Sequence, residues 1–233
     1  MIRHRDVSRL EGFSDAVFGF ALTLLVVSLE TPNTMDELRL MAGSFLPFVL
    51  MFAMVTWIWY QHNQFFRRYD LQDAWTIFLN SVLLFVVLFY VYPLKFLTLA
   101  LVGPLTMPTE ALPDITTVDG PMLMALYSTG VLLIFVIFGL LHLHARARRS
   151  QLGLGEFELL ELKYALRGNI ISAGCAVASL ALVAAMPHDT KWAGLVYMMM
   201  GPLHGWNGYM GGNAKAKFLE PPEAPPQGDA PST

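Results

Sequence analysis

The chain has 233 residues, of which 55% are hydrophobic and only 14% charged, with a formal net charge of −3. A water-soluble domain of this length needs more charge on its surface, so that class is excluded. The apolar residues fall in runs of about 20, the length that crosses a hydrocarbon core, and the chain reads as an all-α integral membrane protein with the lipid bilayer as its solvent. Cys175 is the only cysteine, which excludes a disulfide framework and a thiol-based metal site. It is expected to pack as a small apolar residue.

Six spans are predicted in chain order, at residues 8–29, 43–66, 75–100, 121–143, 165–187 and 190–209. They form one unit over residues 1–212, followed by a proline-rich tail, 213–233, expected to be disordered. No internal repeat is evident. Arg3, Arg5 and Arg9 resemble the basic start of a signal peptide, but Asp15 interrupts the apolar run and no small-x-small cleavage site follows Val27, so the segment reads as retained. Within span one, the apolar run from Ala16 to Leu29 would be about 21 Å long, too short for a bilayer; a start near Ser8 gives about 33 Å. Asp15 then lies nearly two turns inside the helix and must face protein or water. At 100° per residue Phe20, Thr23, Leu24 and Val27 share one stripe, with Ser14 and Asp15 well off it.

Span two supplies partners for that polar pair. Trp59, His62 and Asn63 share a face, and span three adds Asn80 early in its course. A carboxylate, a hydroxyl, an indole N–H, an imidazole and an amide satisfy one another inside a bundle. Whether such a network only holds the helices together or also relays protons between Asp15 and His62 is open from the residues alone.

Span four, GPMLMALYSTGVLLIFVIFGLLHLH, is among the clearest, and span six, thinned by glycines and Pro202, is the weakest. Small residues there permit close helix approach. His142, His144, His188 and His204 do not form a converging ligand set, and Met198, Met199 and Met200 read as packing, so no metal or cofactor is expected. No phosphate loop or nucleophile elbow indicates an enzyme. HARARRS, residues 144–150, reads as an anchor to anionic lipid, not a nucleic-acid site. Twelve of the fifteen basic residues fall at the N-terminus, after span two, between spans four and five and in the tail, against Arg39, Lys95 and Lys191 on the other side. The positive-inside rule puts both termini in the cytoplasm of a cell-membrane protein.

Arg9, Phe13, Ser14 and Asp15 form an RxxxFSD motif. With the continuation AVFGFALTLLVVSL, the WxxH of Trp59 and His62, Asn80 and Pro93, the chain resembles the transmembrane protein 175 family of potassium channels in its short prokaryotic form. The resemblance covers residues 5–95 well and the later spans by hydropathy. It implies a homotetramer of six-span subunits, permeant K+, and a first helix lining the central pore. The motif's polar residues would orient that helix against span two. It further implies a constriction at Phe20, with Leu24 and Val27 beyond it, and a threonine ring at Thr23 linked to potassium preference. Phe20 departs from the aliphatic side chain usual there; four phenyl rings would plug the axis, tilt aside, or shift the constriction to Leu24 or Val27. A hydrophobic constriction gates by excluding water. Neither TVDG at 117–120 nor NGYMGG at 207–212 has the setting of a TVGYG filter. Glu30 reads as a solvated charge or an aid to cation preference at the outer mouth. The competing readings are a proton or other cation pathway, a secondary transporter, and a non-conducting scaffold.

Overall fold

The computed structural model describes residues 7–29, 31–113 and 119–219. Those residues form helices and connecting turns, with no strand among them. The helices are α1 (Arg9–Val27), α2 (Met35–Gly43), α3 (Phe45–Tyr69), α4 (Ala74–Val102), α5 (Asp119–Ala147), α6 (Glu156–Ala185), α7 (Lys191–Leu195) and α8 (Met200–Leu219). Five stretches are long and apolar enough to cross a membrane: α1, α3, α4 with its 3₁₀ extension to Leu105, α5 and α6. α8 has the length but not the mean hydropathy.

Local chemistry sets the ends of these helices. Ser8 caps α1: its Oγ accepts from the Glu11 N–H at 3.2 Å, and the Glu11 carboxylate accepts from the Ser8 N–H at 2.8 Å. Thr34 and Glu37 form the same reciprocal cap on α2. Asp73 caps α4 by accepting from the N–H groups of Trp75 and Thr76. α3 ends where Asp70 turns left-handed at φ 51°.

One core joins the helices. Phe18, Ala21 and Leu25 of α1 meet Met51, Val55, Phe65 and Phe66 of α3, and α4 packs behind them through Leu79, Leu83 and Leu84. Ile134, Phe138 and Leu141 of α5 and Leu162 and Ala176 of α6 complete it. α4 is the central helix, with half of its membrane window buried inside the subunit. It contacts α5 closely at Gly130, where an added Cβ would collide with the Tyr90 ring. A smaller cluster of Leu97, Met124, Val183 and Ala193 closes the end where α6 turns into α7.

The expected boundaries need correction at four places. Residues 35–43 form α2, a helix with no buried residue, which a search for apolar runs passes over. α5 runs to Ala147 and α6 starts at Glu156, well before residue 165, because Leu162 and Leu166 give a charged segment a buried stripe. The segment expected as one span over 190–209 consists of α7, a 3₁₀ turn at Val196–Met199, and α8. α8 continues through 213–219, where Ala214, Lys215, Ala216 and Lys217 are good helix formers. The rest of the proline-rich tail, with Glu30 and residues 114–118, lies outside the described residues.

Candidate functional site

α1 divides into two faces. Glu11, Ser14, Phe18, Ala21 and Leu25 repeat at helical spacing and are buried against α3 and α4. The opposite face carries Gly12, Phe13, Ala16, Gly19, Phe20, Thr23, Val26 and Val27, all exposed on the subunit. Phe20 is 59% and Val27 72% exposed. Leu24 lies half-buried at the edge of this face. Beside Gly12 and Gly19 a Cβ would meet nothing within 4 Å, so the face has shallow notches between its larger side chains. The Thr23 hydroxyl donates to the Gly19 carbonyl at 2.8 Å, which directs its hydrogen along the helix and leaves its lone pairs facing outward.

The buried side of α1 is hydrogen-bonded to two other helices. Asn80 Nδ2 of α4 donates to Ser14 Oγ at 2.9 Å, and Ser14 Oγ donates onward to the Leu10 carbonyl at 2.8 Å. Asn80 Oδ1 faces His62 Nε2 of α3 at 2.7 Å. An amide oxygen only accepts, so Nε2 carries the hydrogen and the donors run in one direction, from α3 through α4 to α1. The His62 ring lies between Phe18 and Phe66, with centroids 5.4 and 4.5 Å away. A second link joins α3 to α1 directly: Trp59 Nε1 donates to Asp15 Oδ1 at 2.7 Å. Ser14, His62 and Asn80 are all buried. A net hydrogen bond contributes about 1 kcal/mol, but orphaning one of these groups costs about 1–3 kcal/mol because no water replaces the partner.

The structure therefore brings Ser14, Asp15, Trp59, His62 and Asn80 together. It leaves Arg9 and Phe13 on the exposed side of α1, and Arg9 makes no hydrogen bond or ion pair among the described residues.

Polar pairs also join α5, α6 and α8. Ser128 donates to Ser179 at 2.9 Å, and Ser172 Oγ meets His204 Nε2 at 2.8 Å. His142 Nδ1 lies 2.8 Å from the Phe138 carbonyl and donates to it. That nitrogen then has no lone pair free, so Asn169 at 3.3 Å is a neighbour and not a donor to it. Asn207 Nδ2 donates to the Tyr164 carbonyl at 3.0 Å. Glu161 takes Lys215 at 2.6 Å and Arg68 at 3.3 Å, tying α8 and α3 to α6. No three His, Cys, Asp or Glu side chains converge on a common point among the described residues. Residues 207–212 are continuous helix within α8.

At the end of α5, His144 Nε2 lies 2.8 Å from Asp73 Oδ2, with Arg148 Nε at 3.7 Å. Burial pushes the Asp73 carboxyl up, but the His144 hydrogen bond, the Thr76 N–H and the nearby charges of His144 and Arg148 outweigh it. They hold the group below its ordinary value. Asp73, Glu161 and Lys95 were not singled out by sequence reasoning. Of the three, Lys95 carried a usable signal, as an ionisable residue inside an apolar span.

Comparison with known proteins places this arrangement. The family model for "Endosomal/lysosomal potassium channel TMEM175" matches residues 9–90, the stretch that forms α1, α2, α3 and the first part of α4 and holds the network. A potassium channel from Marivirga tractuosa is 34% identical over 212 residues, covering 86% of this chain and 86% of that relative. A potassium channel from Chamaesiphon minutus is 30% identical over 107 residues, covering 42% of this chain and 53% of its own. Among solved structures, a variant of the potassium channel MtTMEM175 crystallised with a nanobody–MBP fusion protein superposes with a TM-score of 0.79 at 32% identity, covering 91% of this chain and 97% of that one. A lysosomal potassium-selective channel TMEM175 homolog from Chamaesiphon minutus shares the fold, at a TM-score of 0.58 and 22% identity over 85% of this chain and 96% of that one. With about one-third identity sustained over 86% and 91% of its length in these two alignments, this chain belongs to the TMEM175 family.

Proposed function

We propose that the chain is one subunit of a potassium-selective cation channel in the cell membrane, built as a homotetramer of six-span subunits with both termini in the cytoplasm. The observation that carries this reading is the division of α1. Its motif residues Ser14 and Asp15 are turned inward to α4 and α3, and the face left without a partner in the subunit holds Phe20, Thr23 and Val27. Four copies of that face around an axis make a path that is apolar except for one ring of hydroxyls. The names of the relatives, all potassium channels, support the ion.

In this reading Phe20, with Leu24 at the edge and Val27 further along, forms a hydrophobic constriction that closes by excluding water. Thr23 supplies uncharged oxygens. Because its hydrogen is given to the Gly19 carbonyl, the lone pairs face the axis and replace part of a cation's hydration shell. The network of Ser14, Asp15, Trp59, His62 and Asn80 fixes the rotation of α1, with Arg9 and Phe13 at its cytoplasmic start. No TVGYG loop takes part. α8 is the sixth span: its polar contacts with α6 compensate for its modest hydropathy, and Lys215 ends it on the basic side.

The test is cation flux from purified protein reconstituted in potassium-loaded vesicles, followed by bilayer recording. A reversal potential near that of potassium is expected; no current under any gradient would reject the channel. Thr23→Ala is expected to lower the potassium-to-sodium permeability ratio several-fold, and an unchanged ratio removes the role given to Thr23. Phe20→Ala is expected to raise conductance at least twofold, and indifference moves the constriction to Leu24 or Val27.

A further inference from the structure

The outer end of α1 is closed by a lysine from another helix. At the last turn the Ser28 N–H donates to the Leu24 carbonyl at 2.9 Å, the Leu29 N–H to Val26 at 3.0 Å, and the Ser28 hydroxyl to Leu25 at 2.7 Å. Just past that turn, the carbonyl of the C-cap residue Ser28 accepts from Lys95 Nζ at 2.6 Å. α1 has no basic residue of its own in that turn. Lys95 is the only charged residue in α4, two positions after Pro93. It forms no ion pair among the described residues.

Two features show that this contact is built in and not a wandering side chain. α1 and α4 are joined twice, at Ser14–Asn80 and at Ser28–Lys95, fourteen residues apart on one helix and fifteen on the other. The helices therefore run side by side in the same direction, pinned about 21 Å apart at 1.5 Å per residue. The second feature is chemical. A hydroxyl would satisfy the Ser28 carbonyl without the cost of a charge in an apolar span; a lysine adds a full positive charge at a helix end that otherwise carries about −0.5.

We propose that Lys95 sets the electrostatic potential at the outer end of the permeation path and limits cation influx from that side. The proposal rests on the reading of α1 as the pore-lining helix. Around a four-fold axis, four bare helix ends contribute about −2 charges and four lysine-capped ends about +2. Lys95 thus reverses the sign of the α1 contribution. The potential reaches about 30 Å at 0.01 M salt and only about 3 Å at 1 M, so its influence on permeation depends on ionic strength in a way that a packing defect does not.

The experiment uses the full chain in planar bilayers, with inward conductance read at 10 mM and at 1 M potassium. Lys95→Met is expected to raise inward conductance about threefold at 10 mM and to converge with the native protein at 1 M. Lys95→Arg is expected to behave as native. Lys95→Cys allows the charge to be changed on one folded protein: aminoethyl methanethiosulfonate should restore native conductance, and the sulfonatoethyl reagent should raise it above that of Lys95→Met. Cys175 is buried, and native protein treated with both reagents is the control. Equal conductance of the two adducts, or a Lys95→Met change of the same size at both salt concentrations, overturns the role of Lys95 while leaving the channel intact. Absence of potassium current from the native protein overturns the channel reading and this inference with it.

Discussion

The two halves of the subunit use the same bonding chemistry to different ends. In the front half, α1, α3 and α4 are joined by His62, Asn80, Ser14, Trp59 and Asp15. In the rear half, α5, α6 and α8 are joined by Ser128–Ser179, Ser172–His204 and Glu161–Lys215. Both sets exchange water for protein partners within an apolar bundle. The front set holds α1, whose other face is exposed on the subunit and carries an aligned Phe20 and Thr23; the exposed face of α8 in the rear set carries Leu203, Trp206 and Tyr209 instead. In the rear set the polar pairs dock a helix too glycine-rich to be held by apolar burial alone. Buried polar pairs in a membrane bundle are therefore not in themselves a mark of a permeation path; in the proposed channel it is the α1 face behind them that lines it.

Removing one partner from each half should separate these roles. Asn80→Leu orphans the His62 Nε2–H and removes the donor to Ser14, and is expected to cost about 3 kcal/mol and to abolish potassium flux. Ser172→Ala, the rear counterpart, is expected to cost about 1 kcal/mol with flux retained. Thermal unfolding in detergent and vesicle flux measure both, and equal functional losses would erase the distinction between the halves. Glu161→Gln sharpens it further. The carboxylate sits between Arg68 and Lys215 with 14% of its side chain exposed, so its neutralisation is expected to cost about 1–2 kcal/mol, to loosen α8 and to leave ion preference unchanged. Limited proteolysis at the α8 end reads the first effect and reversal potentials the second.

A similarly small effect belongs to the joint between the halves, where Asp73 of the front meets His144 of the rear. Asp73→Ala is expected to cost about 1 kcal/mol by uncapping α4. Because the Asp73 carboxyl is held below its ordinary value of 3.8, its stabilisation is fully present above that value and is lost as pH falls through the lower, native one. The native protein should accordingly lose more stability than Asp73→Asn when acidified below about pH 3.8. Parallel acid-unfolding curves for the two proteins would contradict this.

Much of the front half was legible in the sequence because its signals are local. The start of α1 near Ser8, the helical spacing of Phe20, Thr23 and Val27, and the depth of Asp15 in an apolar run all follow from helix rise and 3.6 residues per turn. The rear half was less legible. Glycines and charged residues lower the apolar signal of α8 and of the start of α6, although both are helical once Lys215 meets Glu161 and Leu162 finds the core. Lys95 was counted only as one of three basic residues on the outer side, since nothing near it in the sequence names Ser28 as its partner.

By itself the sequence determined a helical membrane protein, the side on which its basic residues gather, and an α1 with one polar-bearing and one apolar face, because hydropathy and helical periodicity are properties of neighbouring residues. Only the tertiary structure decided which groups meet. Trp59 and Asp15 are 44 residues apart, Asn80 and Ser14 are 66, and Lys95 and Ser28 are 67. Contacts across such separations depend on how α1, α3 and α4 rotate and slide against one another. That is set by the fit of Phe18, Phe66 and Leu83 in a shared core, not by any pattern a single helix carries.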